Sequence, residues 1–200
     1  MTAAIVLAGG RATRVGGADK ALFEVGGRAL LAHALAAAAW CRPLVVVGPE
    51  RGGADAAATW VREHPPHGGP VAALAAGLAA VPDDSVLVLA ADLPRAEEAV
   101  AALRGIAALH PPVDGVCLAD DAGRPQWLLG LYDAAALRRR VASLPDDGAG
   151  ARFRDVVDGL DIAVVRPREA GLVDDVDTWE DLERARGAAD RPAEEDDDGR

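Results

Sequence analysis

Short apolar runs recur along this chain, and alanine-rich stretches of helical periodicity lie between them. Residues 3–8 (Ala-Ala-Ile-Val-Leu-Ala), 44–47 (Leu-Val-Val-Val) and 85–91 (Ser-Val-Leu-Val-Leu-Ala-Ala) are almost unbroken by polar side chains. Runs of this length beside glycine or proline read as strands buried on both faces. Residues 113–118 and 162–165 read as further strands. Residues 126–132 follow the turn sequence Asp120-Asp121-Ala122-Gly123, which predicts a strand antiparallel to the rest. Leu30, Leu31, Ala34, Leu35 and Ala38 fall on one helical face, so residues 30–40 form a helix that Pro43 ends. Helices are also predicted over residues 71–80, 96–109, 133–141, 151–157 and 179–186. Residues 51–59 are ambiguous, with a short helix as one reading. Asp133 is placed to cap its helix, and Thr178 with Asp181 forms a capping-box pattern. Strand, loop, helix, strand is the βαβ unit, so the class is α/β, with a mostly parallel sheet and at least one antiparallel strand.

Composition narrows this picture. Two hundred residues suit one domain with a real core, and half of them are hydrophobic. The reading is a single domain over residues 1–186, with residues 187–200 as a disordered acidic tail. The net charge is −11, and from Asp190 to Arg200 there are six acids against two basic residues. Such a chain is a poor general nucleic-acid binder, and no stretch is long and apolar enough to span a membrane. Cys41 and Cys117 stand far apart, outside any metal-spaced pattern, and fit a reducing compartment. The expectation is a cytoplasmic protein with no nucleic-acid or membrane partner.

Candidate chemistry concentrates after the first strand. Residues 9–20 carry four glycines (Gly9, Gly10, Gly16, Gly17) together with Arg11, Arg14 and Lys20. Glycine lets backbone approach a ligand, and successive N–H groups in such a turn make a concavity for anions. The pattern is neither a Walker loop, since Lys20 lies between Asp19 and Ala21, nor a Gly-x-Gly-x-x-Gly dinucleotide fingerprint. A phosphate loop and a solvated surface loop both fit the composition. Asp92 follows the most apolar strand. In open α/β sheets ligands sit beyond the carboxyl ends of strands. If the first strand and residues 85–91 are neighbours, Asp92 faces the loop. A carboxylate beside a triphosphate serves Mg2+; the alternative is that Asp92 opens the next helical turn with Pro94. Asp174, Asp175 and Asp177 form a second acidic group, either helix N-terminal charges or a further metal ligand.

Other chemistries lose support. Only Ser85 and Ser143 are serines, and no Gly-x-Ser-x-Gly occurs. His33, His64, His67 and His110 lack metal-ligand spacing on a helix.

The motifs in order resemble a known family. Leu7-Ala8-Gly9-Gly10-x-x-x-Arg14-x-Gly16-Gly17-x-Asp19-Lys20 is similar to the signature loop of molybdenum cofactor guanylyltransferases, within the nucleotidyltransferases that carry a Rossmann-like domain. Gly69-Pro70-Val71-Ala72-Ala73 resembles their Gly-Pro-Leu-Ala-Gly segment, and Ala91-Asp92-Leu93-Pro94 their metal motif. Gly123-Arg124-Pro125-Gln126 resembles the acceptor-side strand. Asp175-Val176-Asp177-Thr178-x-Glu180-Asp181-Leu182 resembles a late Asn-x-Asn-Thr-Pro-Glu-Asp-Leu element.

The resemblance implies a three-layer Rossmann-like fold and transfer of GMP from GTP to the phosphate of molybdopterin-bound molybdenum cofactor. Leu7, Ala8, Gly9 and Gly10 would meet base and ribose through backbone groups, with Gly69 in the same nucleotide site. Arg14 and Lys20 would hold the triphosphate. Asp92 would bind Mg2+, with Asp175 as a weaker second ligand, and Glu63 would read the guanine edge. GTP, molybdopterin and other molybdenum cofactor assembly proteins are the implied partners. Val15, Ala73 and the Asp175-x-Asp177 pair depart from the family pattern. Asp-x-Asp is closer to sister cytidylyltransferases, whereas Gly9, Asp19 and Gly123-Arg124-Pro125-Gln126 favour the guanylyl branch. A CTP-dependent or other NTP transferase, and a non-catalytic nucleotide-binding protein, are the alternatives.

Overall fold

A computed structural model describes residues 1–10, 15–51, 58–82, 84–109 and 114–190. The chain runs β1 (Ala3–Leu7), a small hairpin β2 (Glu24–Val25) and β3 (Arg28–Ala29), α1 (Leu30–Ala37), β4 (Leu44–Val47) and β5 (Thr59–Val61). It continues through α2 (Pro70–Leu78), β6 (Ser85–Ala90), α3 (Ala96–Ala107), β7 (Gly115–Ala119) and β8 (Pro125–Asp133). Then come α4 (Ala134–Ala142), α5 (Phe153–Val157), β9 (Ile162–Val165) and α6 (Trp179–Ala189).

Seven strands make one sheet in the order β5-β4-β1-β6-β8-β7-β9. Six run in one direction. Only β8 is reversed, pairing antiparallel with both β6 and β7. The reversal follows from the turn at residues 120–124, too short for anything but a hairpin. The apolar run of β6 therefore lies parallel to β1 on one side and antiparallel to β8 on the other. It is central, as its composition predicts, but not flanked by parallel strands alone.

Alternation along each strand divides the core. Ala4, Val6, Leu87 and Leu89 pack with α1 and α3 on one face. Ala3, Ile5, Val86 and Val88 pack with α2, α4 and α5 on the other. Both faces are covered, so the strands must be apolar at every position. A smaller cluster of Val25, Leu30, Val176 and Leu182 fastens α6 to the β2–β3 hairpin. This is the three-layer α/β arrangement that the sequence predicts.

Three elements differ from expectation. The end of the 51–59 segment is not helical: Thr59-Trp60-Val61 forms edge strand β5 beside β4, consistent with two β-branched residues and an aromatic. Residues 52–57 lie outside the described residues. α2 begins at Pro70, which occupies the first turn where its missing N–H costs nothing. α6 runs to Ala189, past Gly187, because Ala188 and Ala189 continue the helix and one internal glycine costs only about 1 kcal/mol. Residues 191–200 of the acidic tail lie outside the described residues. Among the described residues no helix is long and apolar enough to cross a membrane.

Candidate active site

The parallel strands β5, β4, β1 and β6 end along one edge of the sheet, and their connections are stitched together there. Ala8 N–H donates to the Val47 carbonyl at 2.9 Å, Gly48 N–H to the Val61 carbonyl at 3.0 Å, and Ala91 N–H to the Leu7 carbonyl at 3.1 Å. Gly48 is required in this arrangement. Its φ is +151°, and a Cβ there would stand 2.8 Å from the Ala8 carbonyl oxygen.

Above this edge lies a cavity of about 380 Å³ lined by Leu7, Ala8, Gly9, Gly10, Lys20 and Glu63 among others, with Asp92 at its floor. An adjoining lobe shares Leu7, Gly9, Gly10, Glu63 and Asp92 and adds Gly69. The structure thus brings together every nucleotide-site residue predicted from sequence except Arg14, which lies outside the described residues. Gly69, with φ of +91°, is the N-cap of α2 and turns the chain so that the helix starts at the lobe. Glu63 holds its loop by accepting the His67 N–H at 3.1 Å.

The acidic centre is assembled from two distant segments. Val176 N–H donates to the Asp92 carbonyl at 2.9 Å, which docks residues 175–177 against the end of β6. One carboxylate oxygen each from Asp92, Asp175 and Asp177 lies within 4.8 Å of the others. Asp92 Oδ1 is buried and has no hydrogen-bond partner. Burial, then the neighbouring Asp175 carboxylate, raises the Asp92 pKa to about 6, although Lys20 opposes the shift. Burial and Asp177 likewise raise the Asp175 pKa. Lys20 Nζ pairs with Asp177 Oδ1 at 2.5 Å, with only 17% of the lysine side chain exposed.

An orphaned buried carboxylate oxygen among three converging acids fits a divalent cation, which takes oxygen ligands and repays the cost of crowding negative charge. Asp92 and Asp175 were both read from the sequence as candidate ligands. Asp177, grouped with Asp174 and Asp175 in the sequence as a candidate for a further ligand, supplies the third oxygen of the cluster and also the lysine's counter-charge. A sequence signal existed in the Asp175-x-Asp177 spacing.

Arg51 had no such signal. It lies just beyond β4, and its guanidinium donates from Nε and Nη2 to both Asp19 oxygens at 2.7 and 2.8 Å. Nη2 also donates to the Ala8 carbonyl at 2.9 Å, and Nη1 to the Pro49 carbonyl at 3.1 Å.

A mostly parallel sheet whose strand ends hold a glycine-rich loop, a lysine and a carboxylate centre defines a nucleotide-handling α/β protein. Comparison with known proteins makes the class specific. The model of the MobA-like NTP transferase domain matches residues 4–163. The chain belongs to the MobA-like NTP transferase family. It is 30% identical over 146 residues to a molybdenum cofactor guanylyltransferase of Vibrio cholerae, covering 72% of this chain and 71% of that protein. Among solved structures, it resembles molybdopterin-guanine dinucleotide biosynthesis protein A from Archaeoglobus fulgidus. That match has a TM-score of 0.65 at 21% identity and covers 94% of this chain and 98% of the other. A 2-C-methyl-D-erythritol 4-phosphate cytidylyltransferase from Thermus thermophilus matches with a TM-score of 0.65 at 20% identity, covering 94% and 99%. The two structural likenesses show the fold alone.

Proposed function

We propose that this chain is a GTP:molybdenum cofactor guanylyltransferase that requires Mg2+. The observation that carries the reading is the Asp92–Asp175–Asp177 cluster with its orphaned Oδ1, whose Asp92 lines the same cavity as Gly9, Gly10 and Lys20. The likeness to a guanylyltransferase supports the base and the acceptor.

In the reaction, an oxygen of the molybdopterin phosphate attacks the α-phosphorus of GTP. The bond from that phosphorus to the bridging oxygen breaks, and pyrophosphate leaves with the electron pair. Such transfer needs position and positive charge rather than a nucleophilic side chain. Asp92, Asp175 and Asp177 would hold Mg2+, which when bound neutralises charge on the phosphates. Lys20, which pairs with Asp177 beside the cavity, and Arg14 would supply positive charge to the triphosphate. The backbone of residues 7–10 shapes the floor under base and ribose. Glu63, a carboxylate at the cavity wall, accepts hydrogen bonds from the guanine N1–H and N2–H edge. Ionised Asp92 is the working form, and without the cation burial raises its pKa to about 6, so at limiting Mg2+ turnover rises with pH as this carboxyl loses its proton.

A second reading, CTP-dependent transfer, is favoured by one feature: Asp175-x-Asp177 stands where the guanylyl family pattern has paired asparagines. The deciding experiment measures pyrophosphate release from each of the four NTPs with molybdenum cofactor as acceptor. GTP preference is expected. CTP preference would replace the first reading with the second, and nucleotide binding without turnover would remove both.

A further inference from the structure

Arg51 lines the cavity, and neither the metal centre nor the base contacts explain it. Only 9% of its side chain is exposed, and burial of a guanidinium is tolerable only when its charge and N–H groups are matched. Here four of the five N–H donors are accounted for, by both oxygens of Asp19 and the carbonyls of Ala8 and Pro49. The partners are informative. Ala8 is the last residue before the glycine-rich loop, and Asp19 is the residue before Lys20. One planar fork from the β4–β5 connection therefore holds both ends of the loop.

Asp19 has two further properties. It caps the turn of 3-10 helix at Lys20–Leu22, accepting the Ala21 N–H at 3.3 Å, so its position sets that of the Lys20 backbone. It also lines the cavity, with 39% of its side chain exposed. An unpaired carboxylate there would repel a triphosphate.

We propose that Arg51 is a positioning residue of the nucleotide site: it fixes the loop between Ala8 and Asp19 so that Lys20 faces the carboxylate centre, and it cancels the Asp19 charge at the wall. The bidentate pairing demands arginine, because a lysine ammonium cannot engage both carboxylate oxygens and two carbonyls in one plane. The proposal rests on the nucleotide-transfer reading above for its ligand, but not for the fastening of the loop.

The test titrates wild type, Arg51→Ala, Arg51→Lys and Arg51→Ala/Asp19→Asn with MgGTP and with MgCTP by calorimetry. Hydrogen exchange at residues 16–20 is measured on the same nucleotide-free proteins. Arg51→Ala should weaken the preferred nucleotide about 30-fold, and Arg51→Lys about 5-fold, the scale of a charge-assisted bidentate contact. Asp19→Asn in the Arg51→Ala background should recover about 5-fold, because the uncompensated charge is then gone. A purely structural arginine would show no such recovery. Exchange at residues 16–20 should accelerate in both single variants. Wild-type affinity in Arg51→Lys, or a double variant no tighter than Arg51→Ala, overturns the proposal; the lysine variant serves if the alanine variant does not fold. Wild type that binds neither nucleotide sinks the transfer reading instead, and unchanged exchange in Arg51→Lys then overturns the fastening as well.

Discussion

Two aspartates stand at the same edge of this sheet, just beyond the ends of β6 and β7, and they have opposite fates. Asp120 accepts the N–H groups of Ala122 and Arg124 at 2.9 and 2.8 Å and the Arg124 Nε at 2.7 Å. Those bonds, the Arg124 amide foremost, hold its pKa below the ordinary carboxylate range. Asp92 has a buried oxygen with no partner, and its pKa is raised to about 6. Both residues follow an apolar strand, but Asp120 opens the turn Asp120-Asp121-Ala122-Gly123, whereas Asp92 is followed by Leu93-Pro94. The difference is hydrogen-bond satisfaction. A carboxylate whose oxygens are filled by its own turn organises that turn. One that is left unfilled beside two more acids is costly to the fold and is kept for something that binds there.

The contrast can be broken experimentally, and the largest effect is expected on turnover. Asp92→Asn should reduce pyrophosphate release by roughly 10²–10³-fold, the scale of a lost metal-centred electrostatic contact. Full activity in the variant, or wild-type activity that is flat across a Mg2+ titration, would remove Asp92 from the centre.

Lys20→Ala comes next. It should raise KM for the nucleotide by about 10–100-fold, as expected for losing a charge-assisted phosphate contact. Because Lys20 holds the Asp92 pKa down, the variant should also move the acid limb of the pH–rate profile upward. An unmoved limb with unchanged KM would place Lys20 outside the site.

The smallest effects are on stability, and there the two aspartates should part in sign. The folded pKa of Asp92 lies above its unfolded value. Its favourable contribution is therefore fully present below about pH 4 and is lost as pH rises through about 6. In Mg2+-free buffer Asp92→Asn should raise stability at pH 7 by about 3 kcal/mol and leave it unchanged near pH 4. Asp120 behaves the other way. Its folded pKa is depressed, so its contribution is present above the ordinary carboxylate pKa and is lost on acidification. Asp120→Asn should lower the thermal midpoint by a few degrees at pH 7, with the loss fading as pH falls below the carboxylate range. Thermal melts of both variants from about pH 2 to 8 would show it. Equal signs would mean that satisfaction does not distinguish the two positions.

Much of the fold was legible because its code is local. Both-face burial forces unbroken apolar runs such as Val86-Leu87-Val88-Leu89, and the turn at residues 120–123 reports the reversed strand. Asp133 and Thr178 announce their helices by capping, and the structure confirms both caps. β5 was hidden because three half-covered residues at an edge carry no periodicity. The site was half legible. Asp92 and Lys20 could be placed at strand ends, but Arg51 could not, since its partners lie 32 and 43 positions away. The Lys20–Asp177 pair spans 157 positions and needed the tertiary fold.

That last span has a consequence for biosynthesis. The cavity is lined by residues 7–10, 17–20 and Asp92, but the carboxylate centre closes only when residues 175–177 dock on the Asp92 carbonyl. A nascent chain emerging in order from the ribosome can build the parallel half of the sheet well before its three carboxylates meet. A segment translated after β9 is thus the one that completes the group of three carboxylates.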